Sequence, residues 1–145
     1  MGPVPLAVVV LVDRRGWLLL QERDAGAPRA ANQWGMVGGH VEDGEEFEPA
    51  AYRELTEETG LVLPPGTLRL WRDAEFTYPD GHHGRYHVYA AQVDLTDRDI
   101  VVGEGRQIVF VDPVVVPALD LAPSSRHFLP DFLASDLYRS LGTAP

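Results

Sequence analysis

The chain has 145 residues, 45% of them hydrophobic, which predicts a single domain over residues 1–145 with enough apolar material for an ordinary core. It contains no cysteine, so disulfides, thiolate zinc sites and cysteine nucleophiles are excluded. A net charge of −10 argues against stable nucleic-acid binding, which needs clustered Lys and Arg, but an anionic small molecule stays possible if bound cations reverse the local field.

The N-terminus has no basic stretch of the kind that opens a signal peptide, and Leu6 stands where a myristoylation pattern wants Ser or Thr. Residues 6–12 (LAVVVLV) are too few to cross a bilayer, so no membrane association and a cytoplasmic location are expected. That continuous β-branched run reads instead as a strand buried on both faces. Asp13-Arg14-Arg15-Gly16 makes a turn and residues 17–21 (WLLLQ) a second strand, followed directly by Glu22 and Arg23. Residues 24–32 are small and polar, a loop, and residues 33–37 form a short strand leading into Gly38-Gly39.

A helix is predicted from near Glu46 to Thr59, because Pro49 is harmless only in the first turn and Gly60 supplies a left-handed cap at the far end. Glu54, Glu57 and Glu58 stand at i, i+3 and i+4 and share one face of this helix. Like charges at that spacing repel, so a chain that keeps them together is expected to hold cations there. Leu55 and Tyr52 are expected to pack on the sheet, with Ala50 and Ala51 bordering the carboxylate face.

Residues 67–78 and 85–93 are strand candidates around the turn signal Pro79-Asp80-Gly81-His82-His83-Gly84. A polar loop over 94–105 carries Glu104, and residues 107–111 (QIVFV) read as a last strand. A short turn or helical segment runs from Asp112 to Leu121. One C-terminal amphipathic helix is expected, capped by Ser124 or Ser125 and ending near Leu141, with Pro130 in or near its first turn. Without strict βαβ alternation, the fold class is α+β: a mixed β-sheet flanked by helices in an α/β/α sandwich.

Taken together, Gly39, Glu45, Arg53, Glu54, Leu55, Glu57, Glu58, Gly60 and Leu61 resemble the Nudix box at every specified position and spacing. The resemblance implies a Nudix-like fold and hydrolysis of a nucleoside diphosphate linked to another moiety, with Mg²⁺ or Mn²⁺ and a water attacking phosphorus. It implies Glu54, Glu57 and Glu58 as metal ligands with the Gly38 carbonyl, and Glu54 and Glu57 as catalytic residues. Hard oxygen ligands suit these ions, and paired metals can both activate water and stabilise the leaving oxygen. Gly39, Glu45, Arg53 and Gly60 match structural positions, Glu45 and Arg53 as an ion pair that fixes the geometry of the loop and helix.

Glu104 resembles the downstream glutamate that binds metal or serves as general base in some of these enzymes, with flexible glycines on both sides to let it swing in. An ordinary loop acid is the competing reading, and Glu57 the competing base. Arg23 resembles a position that contacts substrate phosphate, and otherwise is a surface charge. Glu42 is a further metal-ligand candidate. His82, His83 and His87 do not read as a metal set, since the first two fall in the hairpin turn and no cysteine or spaced acid completes one, and Trp34 and Trp71 read as core rather than base-stacking residues.

The box says little about the attached group. Tyr78 and Pro79 decide neither for a dinucleoside polyphosphate nor for ADP-ribose, and Ser124-Ser125-Arg126 lacks the polar amide associated with oxidised-purine recognition. The length favours a compact hydrolase of a nucleoside triphosphate, deoxy or not. The expected partner is therefore a small-molecule nucleotide, with the oligomeric state open between monomer and homodimer. The competing class is a non-catalytic nucleotide-sensing domain, against which the intact set of box glutamates argues.

Overall fold

The run at residues 6–12 is the centre of β1, Val4–Val12, and its two faces organise everything else. Leu6, Val8, Val10 and Val12 point into one core with Leu18, Leu20, Tyr86, Val88, Phe128, Leu129 and Phe132. Ala7, Val9 and Leu11 point into a second core with Leu19, Val37, Ala50, Ala51, Leu55 and Tyr89. Side chains alternate across a strand, so a run with no polar residue requires cover on both sides. That cover makes the sandwich. The computed structural model describes residues 2–142, so the outermost residues of the expected domain, Met1 and 143–145, lie outside it.

The other strands are β2 (Leu18–Glu22), β3 (Trp34–His40), β4 (Arg69–Thr77), β5 (His83–Gln92) and β6 (Gln107–Val111). They form one sheet in the order β4-β5-β1-β3-β2-β6. β1 and β5 are parallel, whereas β1–β3, β2–β3, β2–β6 and β4–β5 are antiparallel, so the sheet is mixed as expected. Helix α1, Phe47–Thr59, covers one face, and α2 (Pro123–Leu133) with α3 (Asp136–Gly142) covers the other. Phe128 and Phe132 are fully buried, each side chain contributing on the order of 2–3 kcal/mol by burial. Among the described residues, no helix is long and apolar enough to cross a membrane.

Several details differ from the sequence expectation. β3 continues through Gly38-Gly39 to His40 instead of ending before them. The single C-terminal helix is two helices, separated at Ala134-Ser135, where the Ser135 hydroxyl accepts from the Tyr138 N–H and donates to the Phe132 carbonyl. Ser124 and Ser125 cap nothing: Ala122 is the cap residue, Pro123 opens α2, and both hydroxyls turn inward. Pro130 lies inside α2, beyond the first turn, held there by the buried residues Phe128, Leu129 and Phe132 on either side. Ala50 and Ala51, which border the carboxylate face of α1, are also fully buried against the sheet. A bulge between Leu70 and Arg72 accommodates Trp71, which packs edge-on to Phe132 at 5.3 Å.

Candidate active site

The local rules that start and stop α1 determine where its acidic face lies. Pro49 is its third residue, where the missing N–H costs no helical bond, and the Ala50 N–H makes the early bond to the Glu46 carbonyl. Gly60 takes φ +75° and donates its N–H to the Thr56 carbonyl. Between these ends the helix packs Ala51 and Leu55 on the sheet and turns Glu54, Glu57 and Glu58 toward the end of β3.

Arg53 links this face to the preceding loop. Its Nε and Nη2 donate to the two carboxylate oxygens of Glu45 at 2.8 and 2.9 Å, a bidentate pair, and Nη2 also reaches the His40 carbonyl at 3.0 Å. The Arg53 guanidinium holds the Glu45 carboxyl down to about 2, and Arg53 itself is raised in turn by Glu45 and Glu57. Its remaining nitrogen, Nη1, bridges Glu54 at 3.1 Å and Glu57 at 2.7 Å. Arg53 thus braces the loop and offsets part of the charge of the acidic face at once. Glu42 stands 3.6 Å from Arg53 Nε, at the rim.

The two glycines of β3 make close approaches possible. Gly38 has φ +138°, and a Cβ there would sit 2.3 Å from the Ala7 carbonyl oxygen, while one on Gly39 would sit 2.8 Å from the Glu54 carboxylate. Glu58 is 5% exposed and accepts the Gly38 N–H at 3.1 Å. Burial first, then the neighbouring Glu54 and Glu104, push its carboxyl up to about 9 against the pull of that N–H. Burial also raises Glu54.

Glu104 comes to this cluster from the loop before β6, beside Glu58. The expected flexible arm is instead a fastened one. The Val101 and Gly103 N–H groups donate to the Thr59 and Glu58 carbonyls at 2.9 and 2.8 Å, and Arg106 N–H to the Glu22 carbonyl at 2.9 Å. A Cβ on Gly103 would lie 2.2 Å from the Glu57 carbonyl oxygen, so glycine serves close packing at this position rather than freedom of movement.

The carboxylates form one wall of a cleft of about 580 Å³, within the range of small-molecule sites. Arg23, Arg29, Met36, Tyr78, Tyr86 and Ser124 are among the residues that continue it. Arg23 Nη1 donates to the Arg29 carbonyl at 3.1 Å, while its buried Nε has no hydrogen-bond partner among the described residues. Tyr78 OH and Ser124 Oγ are hydrogen-bonded at 2.9 Å, and Ser125 Oγ accepts the Met36 N–H at 3.1 Å. Burial pushes the Tyr86 hydroxyl up to about 12.

Glu54, Glu57, Glu58, Arg53, Gly38, Gly39, Glu42, Arg23 and Glu104 all line this one cleft, whereas Glu45 stands behind Arg53 and Gly60 at the end of α1. Trp34 and Trp71 do not; both pack against the core. Of the histidines, His82 is at the cleft, His83 begins β5 and bonds Thr77 and Glu75, and His87 stacks on Phe47 at 3.6 Å. Arg29, Tyr86 and Gln21 were not singled out by sequence reasoning. Only β2's departure from an all-leucine pattern at Gln21 marked any of them.

The NUDIX domain model matches residues 3–132. The chain is similar to the nucleoside triphosphatase NudI of Salmonella agona, 32% identical over 84% of this chain and 92% of that one. It is also similar to the MutT NUDIX hydrolase of Burkholderia pseudomallei, 26% identical with a TM-score of 0.72 over 90% of this chain and 98% of that one. The NUDIX domain of Shewanella oneidensis NrtR, in complex with ADP ribose, shares the fold at 17% identity, with a TM-score of 0.77 over 92% of this chain and 88% of that domain's. By the match of the NUDIX domain model and the similarity to these relatives, with Glu54, Glu57 and Glu58 gathered in one cleft, the chain belongs to the NUDIX domain family as a Nudix hydrolase.

Proposed function

We propose that this chain is a nucleotide pyrophosphohydrolase that uses Mg²⁺ or Mn²⁺ to hydrolyse a nucleoside triphosphate, deoxy or not, or a closely related nucleotide. The observation that carries the reading is a single cleft with four glutamates on one wall and Arg23 further along it. The donor set fits a hard divalent cation: it is all oxygen, and one member, Glu58, is held protonated by burial and by its acidic neighbours when no cation is there. Among the described residues, no three acidic or histidine side chains stand together as a ready-made ion site, and Arg53 occupies oxygens of both Glu54 and Glu57. Side-chain rearrangement therefore accompanies binding.

Glu54, Glu57, Glu58 and the Gly38 carbonyl would hold the ion, which supplies charge neutralisation at the phosphates and lowers the cost of deprotonating water. Glu104, or Glu57 in its place, takes the proton from the attacking water as its oxygen bonds to phosphorus and the P–O–P bridge breaks. Arg23 Nε, a buried donor without a hydrogen-bond partner among the described residues, suits a phosphate or other acceptor oxygen of the nucleotide. Gly39, Glu45, Arg53 and Gly60 hold the frame. Similarity to a nucleoside triphosphatase supports the substrate class.

A phosphate- and pyrophosphate-release screen over nucleoside triphosphates, nucleotide sugars, dinucleoside polyphosphates and ADP-ribose tests this directly. Turnover of triphosphates with Mg²⁺ or Mn²⁺ is expected. Binding without turnover across the panel would instead favour a nucleotide-sensing role, and hydrolysis that survives a chelator would overturn the metal assignment.

A further inference from the structure

We infer that Gln21 is a positioning residue for the reaction, its side-chain amide fixing the backbone from which Glu104 reaches the carboxylate cluster. This rests on the proposed role of Glu104 and adds how that residue is held.

Gln21 follows three fully buried leucines in β2 and is itself only 6% exposed. A buried amide is costly unless it is bonded, so its partner is informative. Gln21 Nε2 donates to the Glu104 carbonyl at 3.0 Å, across 83 residues of sequence. The acceptor is a carbonyl, so the amide must present its nitrogen there.

The surrounding contacts show what that bond completes. On one side of Glu104, Gly103 is tied by its N–H to the end of α1 and lies flat against the Glu57 carbonyl. On the other, Gly105 takes φ +84°, where a Cβ would lie 2.7 Å from the Glu22 carbonyl and 3.1 Å from Gln21 Cγ. Arg106 N–H then bonds the Glu22 carbonyl at 2.9 Å. Residue 104 sits between two glycines, the least restrained neighbours a residue can have. Gln21 ties its peptide directly, so the Glu104 side chain leaves from a fixed point although it is exposed.

The test compares Gln21→Met, which keeps the length but cannot donate, and Gln21→Asn, which keeps the donor on a shorter arm, each alone and with Glu104→Gln. Turnover of a nucleoside triphosphate with Mg²⁺ is measured together with thermal unfolding. For Gln21→Met, kcat should fall about 10- to 100-fold with KM within about twofold, as expected when a catalytic group is displaced by roughly an ångström. Gln21→Asn should lose less. In the Glu104→Gln background, Gln21→Met should cost less than about twofold more, because the residue acts through Glu104.

Equal losses in both backgrounds would overturn the inference and make Gln21 a general support of the sheet, as would a kcat within about twofold of the parent for Gln21→Met. If Glu104→Gln alone loses less than about threefold, it is the role of Glu104 that fails, a separately visible outcome. Should Gln21→Met fail to fold, Gln21→Asn and its double variant carry the same comparison.

Discussion

Replacing Glu58 by Gln should stabilise the metal-free protein at neutral and alkaline pH while destroying its activity. The folded Glu58 carboxyl is pushed up to about 9 from an ordinary 4.5, by burial first and by Glu54 and Glu104 after it. Because the folded value is raised, the stability associated with this group is fully present below pH 4.5 and is lost as the pH climbs toward about 9. At about pH 7.5 the gap from 4.5 is about three pH units, which at 1.36 kcal/mol per unit is about 4 kcal/mol. Relaxation of the surroundings around the charged form makes that a ceiling. Glutamine has the same shape, accepts the Gly38 N–H as Glu58 does, and never ionises.

The assay is thermal unfolding of both proteins in chelator from about pH 5 to about pH 8.5, where each kcal/mol moves the midpoint by roughly 3 °C in a chain of this size. Near pH 5 the two should melt close together, and the variant should lead increasingly as pH rises, by at most about 12 °C at about pH 7.5. Divalent metal should raise the parent's midpoint most at high pH, since it replaces the proton on Glu58. A difference that is flat with pH, or a variant less stable than the parent at about pH 8, would refute the reasoning.

Glu57→Gln should reduce kcat by at least about 10²-fold with little change in unfolding, and a chelator should abolish the parent's hydrolysis; unchanged turnover in either experiment counts against the metal assignment. Gly38→Ala places a Cβ 2.3 Å from the Ala7 oxygen and 2.6 Å from Val8 Cα at φ +138°. Both obstacles are backbone, so β1 and β3 must part, at a loss of about 2–4 kcal/mol read by denaturant unfolding. Pro130→Ala, at an exposed position inside α2, restores a helical donor. A gain of about 1 kcal/mol is expected after allowing for the greater freedom of the unfolded chain, and a loss of stability would contradict the account of α2.

The features readable from sequence were those with a local cause. Pro49 and Gly60 mark the ends of α1 because a missing N–H and a positive φ are properties of single residues. The unbroken run in β1 announced a strand covered on both faces for a similarly direct reason. The rule applied to Pro49 failed at Pro130, where packing of Phe128, Leu129 and Phe132 outweighs the local preference. The contacts that shape the cleft were not readable, because they join Gln21 to Glu104 and Tyr78 to Ser124 across 83 and 46 residues. Gly103 and Gly105 illustrate the ambiguity: their sequence signal is mobility, and their use here is close approach to Glu57 and Glu22.

Charge accounts for the division of labour among the glutamates. Glu45 orients the Arg53 fork so that one nitrogen remains for Glu54 and Glu57, while Glu58, to which Arg53 donates no hydrogen bond, is kept neutral by burial when no metal is there. One guanidinium thus faces Glu45, Glu54 and Glu57, with Glu104 close by, and the wall stays acidic. A polyanionic nucleotide approaching that wall alone would be repelled, whereas one accompanied by divalent cations would find oxygen ligands for them and Arg23 elsewhere in the same cleft. The acidity that argues against nonspecific nucleic-acid binding therefore becomes a condition for selective nucleotide binding: metal and nucleotide binding should be positively coupled, each strengthening the other.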